Sequence, residues 1–186
     1  TIAWNPSGIP LSNVLGVQES PNLCIDGQGG AFAIWNDRSP SSGMAGFIYA
    51  THLSPDGSVL AQGTGISVIR NDISRGSVSL EVGGTGYANM VWDDSREGEK
   101  NNIYGQRMNT SCETLWSTPE EGGIPLNESP DDQIAPRVTY LSGDTSVVVW
   151  EDYRNNSLSG DVYVQFIVGD GSLLLGTEGI TLCTDS

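Results

Sequence analysis

The chain has 186 residues, enough for one domain or a short array with a substantial apolar core. Its 24 glycines and 9 prolines, against only 3 phenylalanines, describe short strands and frequent turns, and no stretch keeps a helical period beyond about two turns. A net charge of -15, from 23 acidic and 8 basic side chains, disfavours nucleic acid as a partner, and the longest apolar runs, such as 147–150, are far short of a membrane span.

The chain begins with an edge segment, 1–11, containing Ile2, Trp4 and the motif Gly8-Ile9-Pro-Leu11. A first unit, 12–69, follows. It holds a strand at 22–26 after Pro21, a glycine-rich turn, and an apolar strand at 31–35 ending in Trp35. A polar loop with Asp37-Arg38 leads to an alternating strand around Tyr49, then a turn at Pro55-Asp-Gly57 and a short strand at Val59-Leu60. The unit closes on Gly65-Ile66-Ser-Val68. A second unit, 70–126, repeats this order through Trp92, Asp94-Ser-Arg96, Tyr104, Leu115-Trp116 and Gly123-Ile124-Pro-Leu126. A third, 127–182, repeats it through a strand at 137–141, Trp150, Asp152-Tyr-Arg154, Tyr163, Leu173 to Leu175 and Gly179-Ile180-Thr-Leu182. The continuous apolar character of the strands ending in tryptophan predicts burial on both faces.

Tryptophans 35, 92 and 150 recur at 57 and 58 residues, whereas the glycine motif occurs four times, at 8, 65, 123 and 179. Four short strands per roughly 57 residues is the arithmetic of a propeller blade. The predicted fold is therefore all-β: three tandem four-stranded blade-like repeats in an open array, with half-repeat strands at both ends. The series Trp92-Asp-Asp94-Ser-Arg96, Ile103-Tyr104-Gly-Gln106, Leu115-Trp116 and Gly123-Ile124-Pro-Leu126 resembles repeats of secreted bacterial proteins of β-propeller-like type, across essentially the whole chain. That resemblance implies an architecture and is nearly silent on activity. The first copy departs from it, since Trp35-Asn-Asp37-Arg38 is one residue shorter and Thr51 replaces the glutamine.

The aspartate and arginine after each tryptophan recur in every copy, so they are expected to cap a turn and pack on an aromatic ring rather than to catalyse. Trp35, Trp92 and Trp150, with Tyr49, Tyr104 and Tyr163, are expected to form the repeat core. His52, the sole histidine, is read as a half-exposed strand residue, which leaves no general base of the Ser-His-Asp kind. The acidic pairs Asp93/Asp94, Glu120/Glu121 and Asp131/Asp132 read as solvated turns, and the acidic loop 93–99 lacks the spacing of an EF-hand, so weak Ca²⁺ binding is the most expected there. No cofactor is expected. Cys24, Cys112 and Cys183 exclude a zinc site by their spacing and leave open an intrachain disulfide or a bridge between chains. Asn109, Asn127 and Asn155 begin N-x-S/T sequons. Together with the acidic, turn-rich composition and a first residue that is not Met, they fit a processed or trimmed extracellular glycoprotein.

An open array leaves two matching edges unsatisfied. The expected edge residues are Ile2, Trp4, Ile9 and Leu11 at one end and Leu173, Leu175, Ile180 and Leu182 at the other. A joint between them is heterologous and gives a ring or a helical fibril. The expectation is thus a non-enzymatic structural protein whose partner is itself. The alternative is a glycan-binding module or a fragment of a larger secreted adhesin or enzyme.

Overall fold

The computed structural model describes residues 7–38, 46–70, 75–96, 98–155 and 158–183. These form three four-stranded antiparallel sheets and no helix. Blade 1 comprises β1 (Val17–Ile25), β2 (Ala31–Arg38), β3 (Phe47–Leu53) and β4 (Ile66–Ile69). Blade 2 comprises β5 (Arg75–Val82), β6 (Tyr87–Asp94), β7 (Asn102–Asn109) and β8 (Ile124–Pro125). Blade 3 comprises β9 (Gln133–Ser142), β10 (Thr145–Asp152), β11 (Asp161–Val168) and β12 (Ile180–Cys183). Within each sheet the strands pair in chain order. The first strands β1, β5 and β9 lie side by side, so they are the inner strands and the glycine-motif strands β4, β8 and β12 are the outer ones.

Two assignments made from sequence change. The inner strands begin earlier than expected, because Pro21 and Pro136 sit at bulges within β1 and β9 rather than at their starts, after Ser20 and Ala135 at positive φ. The fourth strand of each blade is the glycine-motif segment. The segments after the hairpin turn contribute only isolated bridges to β3, β7 and β11, through Val59, Thr114 and Leu173. The motif glycine explains the preference. Gly65, Gly123 and Gly179 are all at positive φ, and a Cβ on them would fall 2.5, 2.5 and 2.7 Å from the indole of Trp35, Trp92 and Trp150. Only glycine lets the outer strand cross the tryptophan ring at this distance.

Apolar residues fill the spaces between blades. One cluster joins blades 1 and 2 through Phe32, Ile34, Val68, Leu80 and Met90, and a second joins blades 2 and 3 through Val91, Leu126, Val138 and Val148. β2 and β6 are buried on both faces, as their continuous apolar runs predict. β10 instead alternates, because no blade covers the far side of blade 3.

Candidate functional site

The recurring polar residues form a latch inside the sheet. In blade 2 the Trp92 indole N–H donates to Asp94 Oδ2 at 2.8 Å, and Asp94 also accepts the Arg96 backbone N–H and its guanidinium. The guanidinium lies 3.6 Å over the Tyr104 ring, which stacks on Trp92, and it donates to the Glu121 and Gly122 carbonyls just before the motif glycine. One carboxylate thus fastens the second strand, its loop, the third strand and the entry to the fourth. Blade 3 repeats the arrangement with Trp150, Asp152, Arg154, Tyr163 and the Glu178 carbonyl. Blade 1 does not. Trp35 stacks on Tyr49, but its indole N–H has no partner among the described residues, and Arg38 pairs with Glu19 at 2.8 Å. The expectation that the pair serves every blade identically therefore fails in the first copy. Gln106 and Gln165, both fully buried, add a second clamp by accepting the Trp116 and Leu175 N–H groups and donating to Ser117 and Gly176. Thr51 takes this place in blade 1 and donates to the Leu60 carbonyl.

His52 is not half-exposed. It is buried, its Nε2 lies 2.9 Å from Asp26 Oδ2, and its ring packs against Phe32. Burial opposes ionisation of Asp26, but the Gln28 and Gly30 N–H groups and His52 hold its carboxyl below the ordinary 3.8. The pair pins the glycine-rich turn to the third strand, and the Asp26 carbonyl accepts the Gly86 N–H of blade 2. Arg107, at the equivalent position of blade 2, is also buried. It lies 4.3 Å over Tyr87 and donates to Asp144 Oδ1 of blade 3 at 2.6 Å.

The acidic pairs are mostly engaged. Asp93 is buried at the joint of blades 2 and 3, where it accepts N–H groups from the Ser77 and Ala135 bulges. Burial raises its carboxyl above 3.8 despite those bonds. Glu120 pairs with Arg70, Glu121 accepts from Thr118, and Asp132 binds Lys100 and the Asn101 N–H. Beside that last pair a cleft of about 310 Å³ is lined by Lys100, Asn101, Asp131, Asp132, Ile134 and Tyr153. Among the described residues no three His, Cys, Asp or Glu side chains converge as a metal site; Glu97 of the acidic loop lies outside them.

Cys24, Cys112 and Cys183 are all free thiols, so the intrachain disulfide left open by their odd number is not formed. Cys24 and Cys112 serve as small apolar residues in the first core cluster, where burial pushes both thiols up to about 12. Cys183 is exposed on β12. The sequon at Asn127 is ruled out in the folded chain. That side chain is 1% exposed, accepts the Ile103 N–H and donates to Gln133. Asn109 is half-buried and Asn155 is exposed.

The two end blades carry the most informative surface. Leu23, Leu80 and Val138 each pair with the residue two before the blade tryptophan, so they are equivalent. Leu80 and Val138 are both 8% exposed against a preceding blade, whereas Leu23 is 66% exposed. On the opposite face Ile48, Ile103 and Val162 are equivalent, and so are Val68, Leu126 and Leu182. The members from blades 1 and 2 are at most 1% exposed, but Val162 is 39% and Leu182 60% exposed. Of the residues expected at the edges, Ile180 is also exposed, Ile9, Leu11, Leu173 and Leu175 are half-buried, and Ile2 and Trp4 lie outside the described residues. Leu23 and Val162 were not among those expected. Aligning the strands on tryptophan would have flagged both positions as apolar in every copy.

No family model matches this chain, and no curated protein matches it. Among solved structures it is similar to the crystal structure of an endo-arabinase from Bacteroides thetaiotaomicron VPI-5482, with a TM-score of 0.52 and 15% sequence identity. The match covers 94% of this chain and 66% of that chain, so the present chain spans just under two thirds of that protein's length. At this identity the likeness concerns the fold alone, which is β-propeller-like.

Proposed function

We propose that the chain is a non-enzymatic, extracellular structural protein that assembles head to tail, the free face of blade 3 of one copy meeting the free face of blade 1 of the next. The single observation that carries this reading is that Leu23, Val162 and Leu182 are exposed where their equivalents are buried between blades. Each end face has the chemistry of half a blade joint, and association would bury the apolar area that the isolated chain leaves in water. Such a contact is heterologous, so it closes into a ring or continues as a helical fibril according to the rotation at each joint. The test is light scattering and electron microscopy of the full chain beside Leu23→Glu and Val162→Glu, which place a charge on exposed positions that lie at the joint. The expected outcome is assembly of the full chain and monomers of both variants. A full chain that stays monomeric at tens of micromolar removes the reading.

A second reading, a glycan-binding module, is supported by the half-exposed Tyr153 beside Lys100 and Asp132 in the 310 Å³ cleft and by the fold likeness to an endo-arabinase. It predicts retardation in gels containing soluble polysaccharides, an arabinan among them, and loss of that retardation in Tyr153→Ala.

A further inference from the structure

Four glycine-motif segments stand against three tryptophan-centred inner sets in this sequence, and the surplus one has a defined place. Beyond β4, the Arg70 N–H donates at 2.8 Å to the Pro119 carbonyl, in the loop between the third and fourth strands of blade 2. Arg70 lies two residues after Val68. Asn13 lies two after Leu11, the counterpart of Val68, and its N–H donates at 2.7 Å to the Gly63 carbonyl in the corresponding loop of blade 1. The Gly63 N–H donates in return to the Leu11 carbonyl at 3.1 Å. The segment 8–13 therefore sits against blade 1 as the end of one blade's outer strand sits against the next blade. Gly8 is at φ +79, close to Gly65 at +68 and Gly179 at +66, yet no described atom lies within 4 Å of where its Cβ would be. It holds the conformation in which the other three motif glycines cross a tryptophan, with no described tryptophan under it.

We infer that the missing inner strands are β9, β10 and β11 of a neighbouring copy, and that the two copies join by exchange of the outer strand. This deepens the head-to-tail reading and rests on it. In the exchanged state Gly8 crosses Trp150 of the neighbour, Ile9 takes the place of Ile180 opposite Val164, and Ser12 takes the place of Cys183 opposite Val162. The two segments are matched for the exchange. Trp4 and Leu175 each precede the motif glycine by four residues, and Ile9 and Leu11 correspond to Ile180 and Leu182. Simple stacking of faces would bring β12 of one copy to the place that 8–13 of the next already occupies beside blade 1, so only one of the two segments can remain there. Exchange replaces like with like, while it buries Leu11 and the apolar end faces and ties the copies through a continuous backbone.

The test compares three chains. Removing 176–186 frees the edge of β11 and should make assembly faster and lower the concentration it requires; plain stacking predicts that the same deletion weakens it. In a Cys183→Ser background, Ser12→Cys with Val162→Cys should form disulfides only between chains under mild oxidation, because the two residues lie against different blades of one chain and opposite each other only across the joint. A ladder on non-reducing gels that collapses with reductant is the expected result. If the full chain assembles but the deleted chain is monomeric and the cysteine pair gives no ladder, strand exchange is overturned while head-to-tail assembly stands. If the full chain is monomeric, both are overturned.

Discussion

Blade 2 spaces its aspartate and arginine as Asp94-Ser-Arg96 and blade 1 as Asp37-Arg38, a difference of one residue that separates a closed latch from an open one. On an extended backbone residues two apart share a side, so Arg96 folds back over Asp94 and Tyr104. Adjacent residues point to opposite sides, and Arg38 reaches Glu19 on the inner strand instead. The Trp35–Tyr49 stack nevertheless has almost the geometry of Trp92–Tyr104, with centroids 6.2 and 6.4 Å apart. The aromatic stack and its glycine thus form without the ionic latch. The latch serves instead to carry a buried carboxylate and an indole N–H that would otherwise lack partners.

Four measurements break or sharpen that contrast. The largest effect is expected from Trp92→Ala, at about 3 to 5 kcal/mol, with Trp35→Ala at the lower end because its indole N–H has no partner among the described residues. Chemical denaturation ranks the two, and a costlier Trp35→Ala would reverse the comparison. Asp94→Ala leaves the Trp92 N–H without its acceptor and the Arg96 guanidinium without its counter-charge and should cost about 3 kcal/mol, to be read in the same way. Inserting a serine between Asp37 and Arg38 restores the spacing of the other blades. It should return about 1 kcal/mol as the guanidinium moves onto Tyr49, and an unchanged midpoint would show that spacing alone does not make the latch.

The smallest expected effect is one of pH. Burial raises the Asp93 carboxyl above its ordinary 3.8, so the folded state prefers it protonated. Its favourable contribution is complete below 3.8 and is lost as pH rises through the folded value. Blade 1 carries Asn36 at this position. Asp93→Asn, compared with the parent chain across acid pH, should show a stability difference that grows in favour of the variant above 3.8 and then levels off. A difference independent of pH would mean that the N–H groups of Ser77 and Ala135 fully offset the burial.

The architecture was legible because tryptophan, tyrosine and glycine are each required once per blade for one contact, so their spacing reports the sheet directly. The outer strand was misassigned for the same reason. A glycine at the head of an apolar segment looks like punctuation until the indole beneath it is seen, whereas Val59-Leu60 looks like a strand and forms a single bridge. His52 reads as half-exposed from its strand position alone, because its partner, Asp26, stands 26 residues away in the glycine-rich turn and nothing local signals the pair. Nothing local to Asn127 announces its burial; the sequon is satisfied on paper while the amide is committed to Ile103 and Gln133. The end faces needed both alignment and burial, since Leu23 and Leu80 are the same residue type and only the presence of a neighbour distinguishes them.

Blade 2 is the only one of the three flanked on both sides, and this has a kinetic consequence. In a linear array each unit borrows stability from those it touches, so opening begins at the ends. Amide hydrogen exchange in the isolated chain should therefore be slowest in β6 and β7 and faster in the matching strands β2, β3, β10 and β11. If copies join end to end, every blade acquires two neighbours and the gradient along the chain should flatten, first at Trp35 and Trp150, leaving a record of assembly in amides that lie far from the joint itself.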